Sequence, residues 1–239
     1  MLRPLSKLTL AFLPAFAALI ALGVWQIERL HWKEALIAQV NANMSAPPIT
    51  LDRALAMGKD AQYRRVMLDG RFDNAKEAYA FATADQGVPV YHVLTPFVLA
   101  GGRALIVDRG EIPPRRLDPK TRTPREGETR IVGVWRTPDR PGLFTPAPDL
   151  AHRIWYARDV EAIARASGVT LAAPVIIEAD ATPNPGGWPK GGQTVVNFPN
   201  NHLQYAITWF GLAAALAGVF VAYVIQRGSN RKHSSDVEL

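Results

Sequence analysis

The sequence predicts a membrane protein in which two transmembrane helices flank an exported, antiparallel β-rich domain of the α+β class. Two uncharged apolar runs, residues 8–27 and 203–225, are long enough to cross a bilayer. Between them, short runs of β-branched and aromatic residues alternate with turns rich in glycine and proline. Because the 239 residues include no cysteine, a hydrophobic core alone has to hold this domain together, and a curled sheet or a small barrel would provide one.

The two apolar runs are predicted to be transmembrane helices. An α-helix rises about 1.5 Å per residue, so runs of 20 and 23 residues span roughly 30 and 35 Å, against about 30 Å for the hydrocarbon core. A cleaved signal peptide is the alternative for the first run, but no small-x-small cleavage site follows it. We therefore expect an uncleaved anchor, in which Pro14 is tolerated.

The charges beside the two runs predict the orientation of the chain. Residues 1–7 and 226–239 place basic side chains next to the membrane, so the positive-inside rule puts both tails in the cytoplasm and residues 28–202 outside. The start of the chain does not resemble an Arg- and Ser-rich organellar presequence, and we expect a bacterial inner membrane with a periplasmic domain. The exported part has 22 basic and 19 acidic residues, a balance that predicts no nucleic-acid partner.

The exported segment is predicted to begin with a helical stalk over residues 28–42, which ends at Pro47 and Pro48. The predicted strands are 63–73 with a turn or bulge at its Asp-Gly pair, 77–83 returning antiparallel to it, a hairpin over 90–110 that turns at Gly101-Gly102, then 129–138 and 173–181. Residues 156–168 are predicted to form a helix with Gly168 as its C-cap. Residues 112–128 and 140–153 are predicted loops, the first too polar to pack.

Enzymatic chemistry is not predicted. The chain has no G-x-S-x-G elbow, Walker loop, G-x-G-x-x-G or H-E-x-x-H motif. Its only exported serines, Ser45 and Ser167, lie in a proline-rich loop and at a helix end. The absence of cysteine excludes thiolate catalysis, iron–sulfur ligation and cysteine-based metal sites.

Among the five histidines, His202 stands out because it opens the second apolar run. The helical period puts His202, Tyr205 and Trp209 on one face. Trp25 and Gln26 lie at matching depth in the first run. His92, by contrast, is interpreted as a surface or satisfied position in a strand. The small residues that we expect to permit close helix packing are Gly211, Ala215 and Gly218.

Two interpretations of this histidine follow from the residue types. The first is an aromatic and polar belt at the membrane interface, which is common. The second is a cofactor site between two helices, in which His202 binds a haem iron. In that case Arg29 and Lys33, one turn apart on the stalk, would pair with the cofactor's carboxylates; otherwise they are ordinary interfacial cations.

Six blocks of the sequence resemble the surfeit-locus (Surf/Shy) family of cytochrome c oxidase biogenesis factors. In order, they are LGVWQIERLHWKEALI (22–37), YRRVMLDGRFDNAKEAY (63–79), PVYHVLTPFVL (89–99), LIVDRGEIP (105–113), WYARDVEAIARASG (155–168) and GGQTVVNFPNNHLQYAITWFGLA (191–213). Gly70 matches a motif glycine, and we expect a turn with positive φ there.

The resemblance implies an assembly factor, not an enzyme, that binds haem a and assists its insertion into the catalytic subunit of a haem-copper oxidase. It implies His202 as the iron ligand, with Trp25, Gln26, Tyr205 and Trp209 lining the pocket. Expected partners are the catalytic subunit, the haem a synthesis machinery and membrane lipid. The alternative is a membrane-tethered scaffold that stabilises an oxidase subunit without binding haem.

Overall fold

The computed structural model describes residues 4–84, 87–194, 196 and 198–235, so the ends of both predicted cytoplasmic tails lie outside the described residues. The chain divides into two compact units, one formed by residues 1–39 and 197–239 and the other by residues 40–196. The first is a helical pair and the second is the β-rich domain.

The helical unit contains most of helix α1 (Pro4–Ser45) and helix α4 (His202–Ser235). Both are long and apolar enough to cross a membrane, and many of their apolar side chains are exposed, as at Leu10 (69%) and Val219 (69%). Such exposure is costly in water and favourable in lipid. The predicted pair of candidate membrane helices is therefore confirmed, and the predicted stalk is the continuation of α1.

The two helices pack through small residues. Gly23, Ala206 and Ala213 are buried, and a Cβ added to Gly23 would lie 2.5 Å from Cε1 of Phe210. Farther along, the rings of Phe12 and Phe220 stack with their centroids 4.1 Å apart. The contacts occur in opposite order along α1 and α4, so the two helices are antiparallel.

The predicted packing face on α4 was wrong. Gly211, Ala215 and Gly218 are exposed, and a Cβ built on either glycine would have no described atom within 4 Å apart from its chain neighbours and the adjacent backbone of α4. The small residues of α4 that pack are alanines on a different face of the helix. A stripe of small residues is visible in the sequence, but which stripe faces the neighbour depends on the shape of both helices.

The described residues of the β-rich domain form one curved sheet, closed by five strands into a small barrel in the order β2-β6-β8-β5-β4 and back to β2. The strands are β1 (Ile49–Thr50), β2 (Arg65–Phe72), β3 (Ala78–Thr83), β4 (Pro89–Leu99), β5 (Ala104–Ile112), β6 (Thr129–Arg136), β7 (Ile154–Trp155) and β8 (Leu171–Ala179). Only the β5–β8 contact in the barrel is parallel. The sequence predicted a curled sheet or a small barrel, and the small barrel is confirmed.

Hydrophobic residues fill the barrel and cover one side of it. Leu68, Phe97 and Leu105 are fully buried inside, and each contributes about 1.5–3 kcal/mol of transfer free energy. Helix α3 (Val160–Ser167) packs Val160 and Ile163 against the outer face of the sheet. No disulfide is required for this core.

The end of helix α3 and the main hairpin agree with the sequence prediction, whereas the helix begins at Val160, four residues after its predicted start at residue 156. Asp159 caps the start of α3 by accepting a hydrogen bond from the amide of Ala162 at 3.0 Å, and Gly168 ends the helix in the left-handed conformation, with φ 61°. The β4–β5 hairpin turns at Gly101 and Gly102, both with positive φ.

Several local predictions were wrong. Strand β3 pairs with β4 and β7, not with β2, because β2 is already paired with β4 and β6. The short helix α2 (Leu51–Met57) and the two-residue strands β1 and β7 were not predicted. The 112–128 loop does pack, since the side chain of Arg122 within it is buried.

Gly70 also differs from its prediction. Strand β2 runs straight through the Asp-Gly pair, and the φ of Gly70 lies outside the left-handed region. The residue pairs with Thr129 of β6 and with Leu99 of β4, at the point where the barrel closes. A Cβ there would lie 2.3 Å from the carbonyl oxygen of Val98. Close approach of two backbones, not a turn, explains the glycine.

We expect Gly70→Ala to lower the free energy of unfolding by about 2–3 kcal/mol, because the added methyl forces β2 and β4 apart. The measurement is the thermal unfolding of the full chain in detergent, followed by the circular dichroism of the sheet. Gly142→Ala is the control, because its new Cβ would have its nearest neighbour at 3.7 Å. Equal midpoints for the two variants would contradict the close-approach explanation.

Candidate functional site

The candidate site in the helical unit is built around one hydrogen bond between the two helices. His202 is the first residue of α4, and its Nδ1 lies 2.7 Å from Oε1 of Gln26 on α1. Gln26 is only 8% exposed, so its amide meets little solvent. Because an amide oxygen only accepts hydrogen bonds, this contact favours the neutral tautomer in which Nδ1 donates and the lone pair lies on Nε2. In that tautomer, Nε2 can bind a metal.

Three aromatic residues lie within about two helical turns of this hydrogen bond: Trp25 adjoins Gln26 on α1, and Tyr205 and Trp209 follow His202 on α4. At about 100° per residue, Tyr205 and Trp209 fall within about 60° of His202 on α4, as the helical period predicts. Tyr205 is 55% exposed and Trp25 of α1 is 52% exposed, whereas Trp209 is half-buried. The site thus offers accessible aromatic surface beside a half-buried imidazole.

Arg29 and Lys33 continue the face of α1 that carries Gln26, three and seven residues farther along. The guanidinium of Arg29 lies 3.8 Å above the ring of Trp32, and the Lys33 ammonium lies 5.3 Å from the ring of Phe198. Neither cation forms a salt bridge with a carboxylate in the described part of the chain. Aromatic faces stabilise them weakly and leave their charge available to an anion.

A second polar cluster lies in the β-rich domain, where sequence reasoning predicted no site. His92 Nδ1 lies 2.9 Å from Oδ2 of Asp108, and Nη1 of Arg158 lies 2.7 Å from Oε1 of Glu178. Thr194 donates a further hydrogen bond to Glu178 at 2.7 Å. The interpretation of His92 as a satisfied strand residue is confirmed. The feature of the sequence that could have indicated this cluster is the acidic residue inside each of two apolar runs, LIVDRG and VIIEA.

The His92–Asp108 pair shifts both of its pKa values. Burial disfavours the charged imidazole, but the hydrogen bond and charge of Asp108 outweigh it and raise the pKa of His92 above 6.5. Burial also opposes ionisation of Asp108, yet the His92 hydrogen bond, the nearby charges and the amide of Gly110 hold the pKa of Asp108 below 3.8. Each partner therefore favours the charged form of the other, and the pair is stabilised as an ion pair.

Comparison with known proteins covers both units. Residues 13–214 match the SURF1 family. The chain is 33% identical to Surfeit locus protein 1 of Rattus norvegicus, over 91% of this chain and 75% of the relative. It is 34% identical to Surfeit locus protein 1 of Takifugu rubripes, over 88% and 94% of the two chains. It is 32% identical to the SURF1-like protein of Drosophila melanogaster, over 88% and 75%.

The ion pair predicts how stability depends on pH. The raised pKa of His92 means that its contribution is complete below about pH 6.5 and is lost as the pH rises through the folded-state pKa. The lowered pKa of Asp108 means that its contribution is lost only in acid, below about pH 3.8. We therefore expect the unfolding midpoint to fall as the pH rises above about 6.5.

His92→Gln should flatten this pH dependence, as measured by thermal unfolding of the full chain between about pH 6 and pH 8.5. The control is His152→Gln, because His152 also contacts a carboxylate, Asp149 at 2.7 Å, but has a side chain that is 73% exposed. The control should keep the wild-type slope, since exposed pairs contribute little. An unchanged slope in His92→Gln would contradict the assignment.

Proposed function

Because the chain belongs to the SURF1 family, we propose that it is a cytochrome c oxidase assembly factor that binds haem a at His202 and assists its insertion into the catalytic subunit. The observation that carries the haem proposal is the 2.7 Å hydrogen bond between His202 and Gln26. A hydrogen bond from Nδ1 to the amide oxygen favours the tautomer with its lone pair on Nε2, which is the form that binds haem iron. The haem would supply the iron and its own carboxylates.

The residues around His202 suit such a cofactor. The exposed rings of Trp25 and Tyr205, together with Trp209, provide apolar surface for a flat macrocycle. Arg29 and Lys33 hold positive charge near that surface without carboxylate partners in the described residues, so they can pair with the cofactor's carboxylates. Gln26 orients the ligand and does not need to touch the iron itself.

This set of residues fits transient holding better than permanent binding. His202 and two cations that contact aromatic rings are the proposed polar contacts, and few of them have to break when the cofactor leaves. An assembly factor has to release its cargo to an apo-subunit, so moderate affinity suits the task. We propose a non-catalytic role, with the haem a synthesis machinery as the donor and the oxidase catalytic subunit as the acceptor.

The proposed setting is a membrane that both helices cross. We place the spans at residues 8–27 and 203–225, both tails in the cytoplasm, and residues 28–202 on the periplasmic side of a bacterial inner membrane. The basic tails support this orientation through the positive-inside rule. His202 then lies at the outer edge of the second span, where a lipophilic cofactor can enter from the bilayer while its carboxylates reach water.

We expect His202→Ala to abolish the haem absorption spectrum of protein purified from cells that make haem a, because the only proposed protein ligand is lost. His152→Ala is the matched control and should retain the spectrum, since His152 pairs with Asp149 in the β-rich domain. Sheet circular dichroism should be the same in both. Unchanged haem stoichiometry in His202→Ala would exclude the ligand assignment and favour the scaffold without haem.

The orienting role of Gln26 is tested by two substitutions that differ in their ability to accept a hydrogen bond. Gln26→Leu removes the acceptor, and we expect haem affinity to fall by about 10–100-fold. Gln26→Glu keeps an acceptor, so it should bind at least as well as wild type. The measurement is the rate of haem transfer from each variant to excess apomyoglobin. Equal rates for Leu and Glu variants would refute the role.

A further inference from the structure

A cavity of about 460 Å³ in the β-rich domain lies beside the 112–128 loop and is not used by the proposed haem site. Buried cationic side chains form part of its lining, and the indole of Trp188 and three prolines form another part. We propose that this cavity binds the carboxylate of a small organic acid that carries a short apolar chain.

The charges around the cavity do not balance. Arg109 and Arg122 are both buried, and so is the one carboxylate between them, that of Glu77. Nη2 of Arg122 lies 2.5 Å from Oε1 of Glu77, whereas Nη1 of Arg109 lies 3.8 Å from Oε2. Glu77 thus pairs closely with Arg122 and leaves Arg109 with a distant partner. A buried guanidinium without a close anion is costly, and an added carboxylate would remove this cost.

Neutral groups hold Arg109 in place. Its Nη1 donates to the amide oxygen of Asn74 at 3.1 Å, and its Nη2 donates to that of Asn184 at 3.5 Å. Both asparagines are held in turn by their NH₂ groups. That of Asn74 donates to the carbonyl of Arg125 at 3.0 Å, and that of Asn184 donates to the carbonyl of Pro189 at 2.7 Å. The guanidinium is therefore oriented in advance of any ligand.

Arg109 keeps its charge although it is buried. Burial lowers the pKa of Arg109 to about 10, with Glu77 opposing the shift and Arg122 and Arg125 adding to it. At neutral pH the guanidinium is still protonated. Its Nε is buried without a hydrogen-bond partner among the described residues, which adds to the cost of burying this cation. A planar, charged guanidinium suits a carboxylate oxygen.

The rest of the lining selects the chemical class of the ligand. Pro119, Pro124 and Trp188 present apolar surface, which favours a short hydrocarbon chain over a fully hydrated ion such as inorganic phosphate. Lys120 is exposed at the cavity, and the ammonium of Lys190 lies 4.9 Å from the Trp188 ring. These cations raise the positive potential at the entrance and attract an anionic head group.

The test is isothermal titration calorimetry on the full chain in neutral detergent micelles, in a carboxylate-free buffer without haem. The probes are hexanoate, its neutral analogue hexanamide as the control for partition into micelles, and inorganic phosphate. We expect saturable one-to-one binding of hexanoate alone. Because haem is absent, the result does not depend on the proposed haem function.

Two variants assign the binding to this cavity. Arg109→Met should abolish hexanoate binding. Lys120→Glu, at an exposed position, should weaken it several-fold without affecting the fold, whereas Lys59→Glu makes the same charge change on a 3₁₀ turn outside the cavity lining and should bind as wild type. If Arg109→Met does not fold, the comparison of the two lysine variants decides.

The proposal is overturned by any of four results. Equal binding of hexanamide would show apolar partition without carboxylate recognition. Equal, Arg109-dependent binding of phosphate would show a general anion site of a different class. No binding of hexanoate would show that the Arg109–Glu77–Arg122 group is an internal ion-pair network that takes no ligand. Equal binding by the two lysine variants would show that hexanoate binds away from this cavity.

Discussion

The β-rich domain depends on the close approach of β2 and β4 at Gly70. Without that contact the five strands would form an open sheet with two exposed edges, and the residues now inside the barrel would meet water. Closure allows one set of aliphatic and aromatic side chains to stabilise the domain in the absence of disulfides. It also fixes β5 in the middle of the domain, between β4 and β8, and both polar clusters depend on that strand.

Strand β5 carries the charged residues of both clusters at adjacent positions. Successive side chains of a strand point to opposite faces, so Leu105, Val107 and Arg109 follow one face, and Ile106 and Asp108 follow the other. On the inner side, Arg109 lies 4.5 Å above the ring of Phe72 and next to Glu77. On the outer side, Asp108 binds His92 and Arg158. The neighbouring residues Asp108 and Arg109 therefore each belong to a separate ionic network, on opposite faces of the strand.

The sequence predicted the elements better than it predicted their neighbours. Hydrophobic period and turn residues located the hairpin at Gly101-Gly102 and the cap at Gly168, because both depend on local backbone conformation. The partner of β3 and the role of Gly70 depend on which strands meet after closure, and periodicity contains no information about that. The burial of Arg122 beside Glu77 was not predicted for the same reason, because it depends on contacts between distant parts of the chain and the sequence of its loop is polar.

The helical site shows the same division between local and long-range information. The helical period placed Tyr205 and Trp209 beside His202, and matching depth suggested Gln26. The direct hydrogen bond could not be derived, since it requires the rotation of both helices about their axes to be known. Packing of Gly23 against Phe210 sets that rotation and brings the imidazole and the amide together.

The bond between His202 and Gln26 joins residues that are 176 positions apart in the chain. At about 5–20 residues per second, a ribosome needs roughly 10–35 s to make the intervening segment. Throughout that interval Gln26 has been synthesised but the imidazole has not, so a nascent chain has no complete site. The imidazole of the proposed haem ligand therefore joins the chain only after the barrel sequence has been made, and an unfinished or truncated product would lack it.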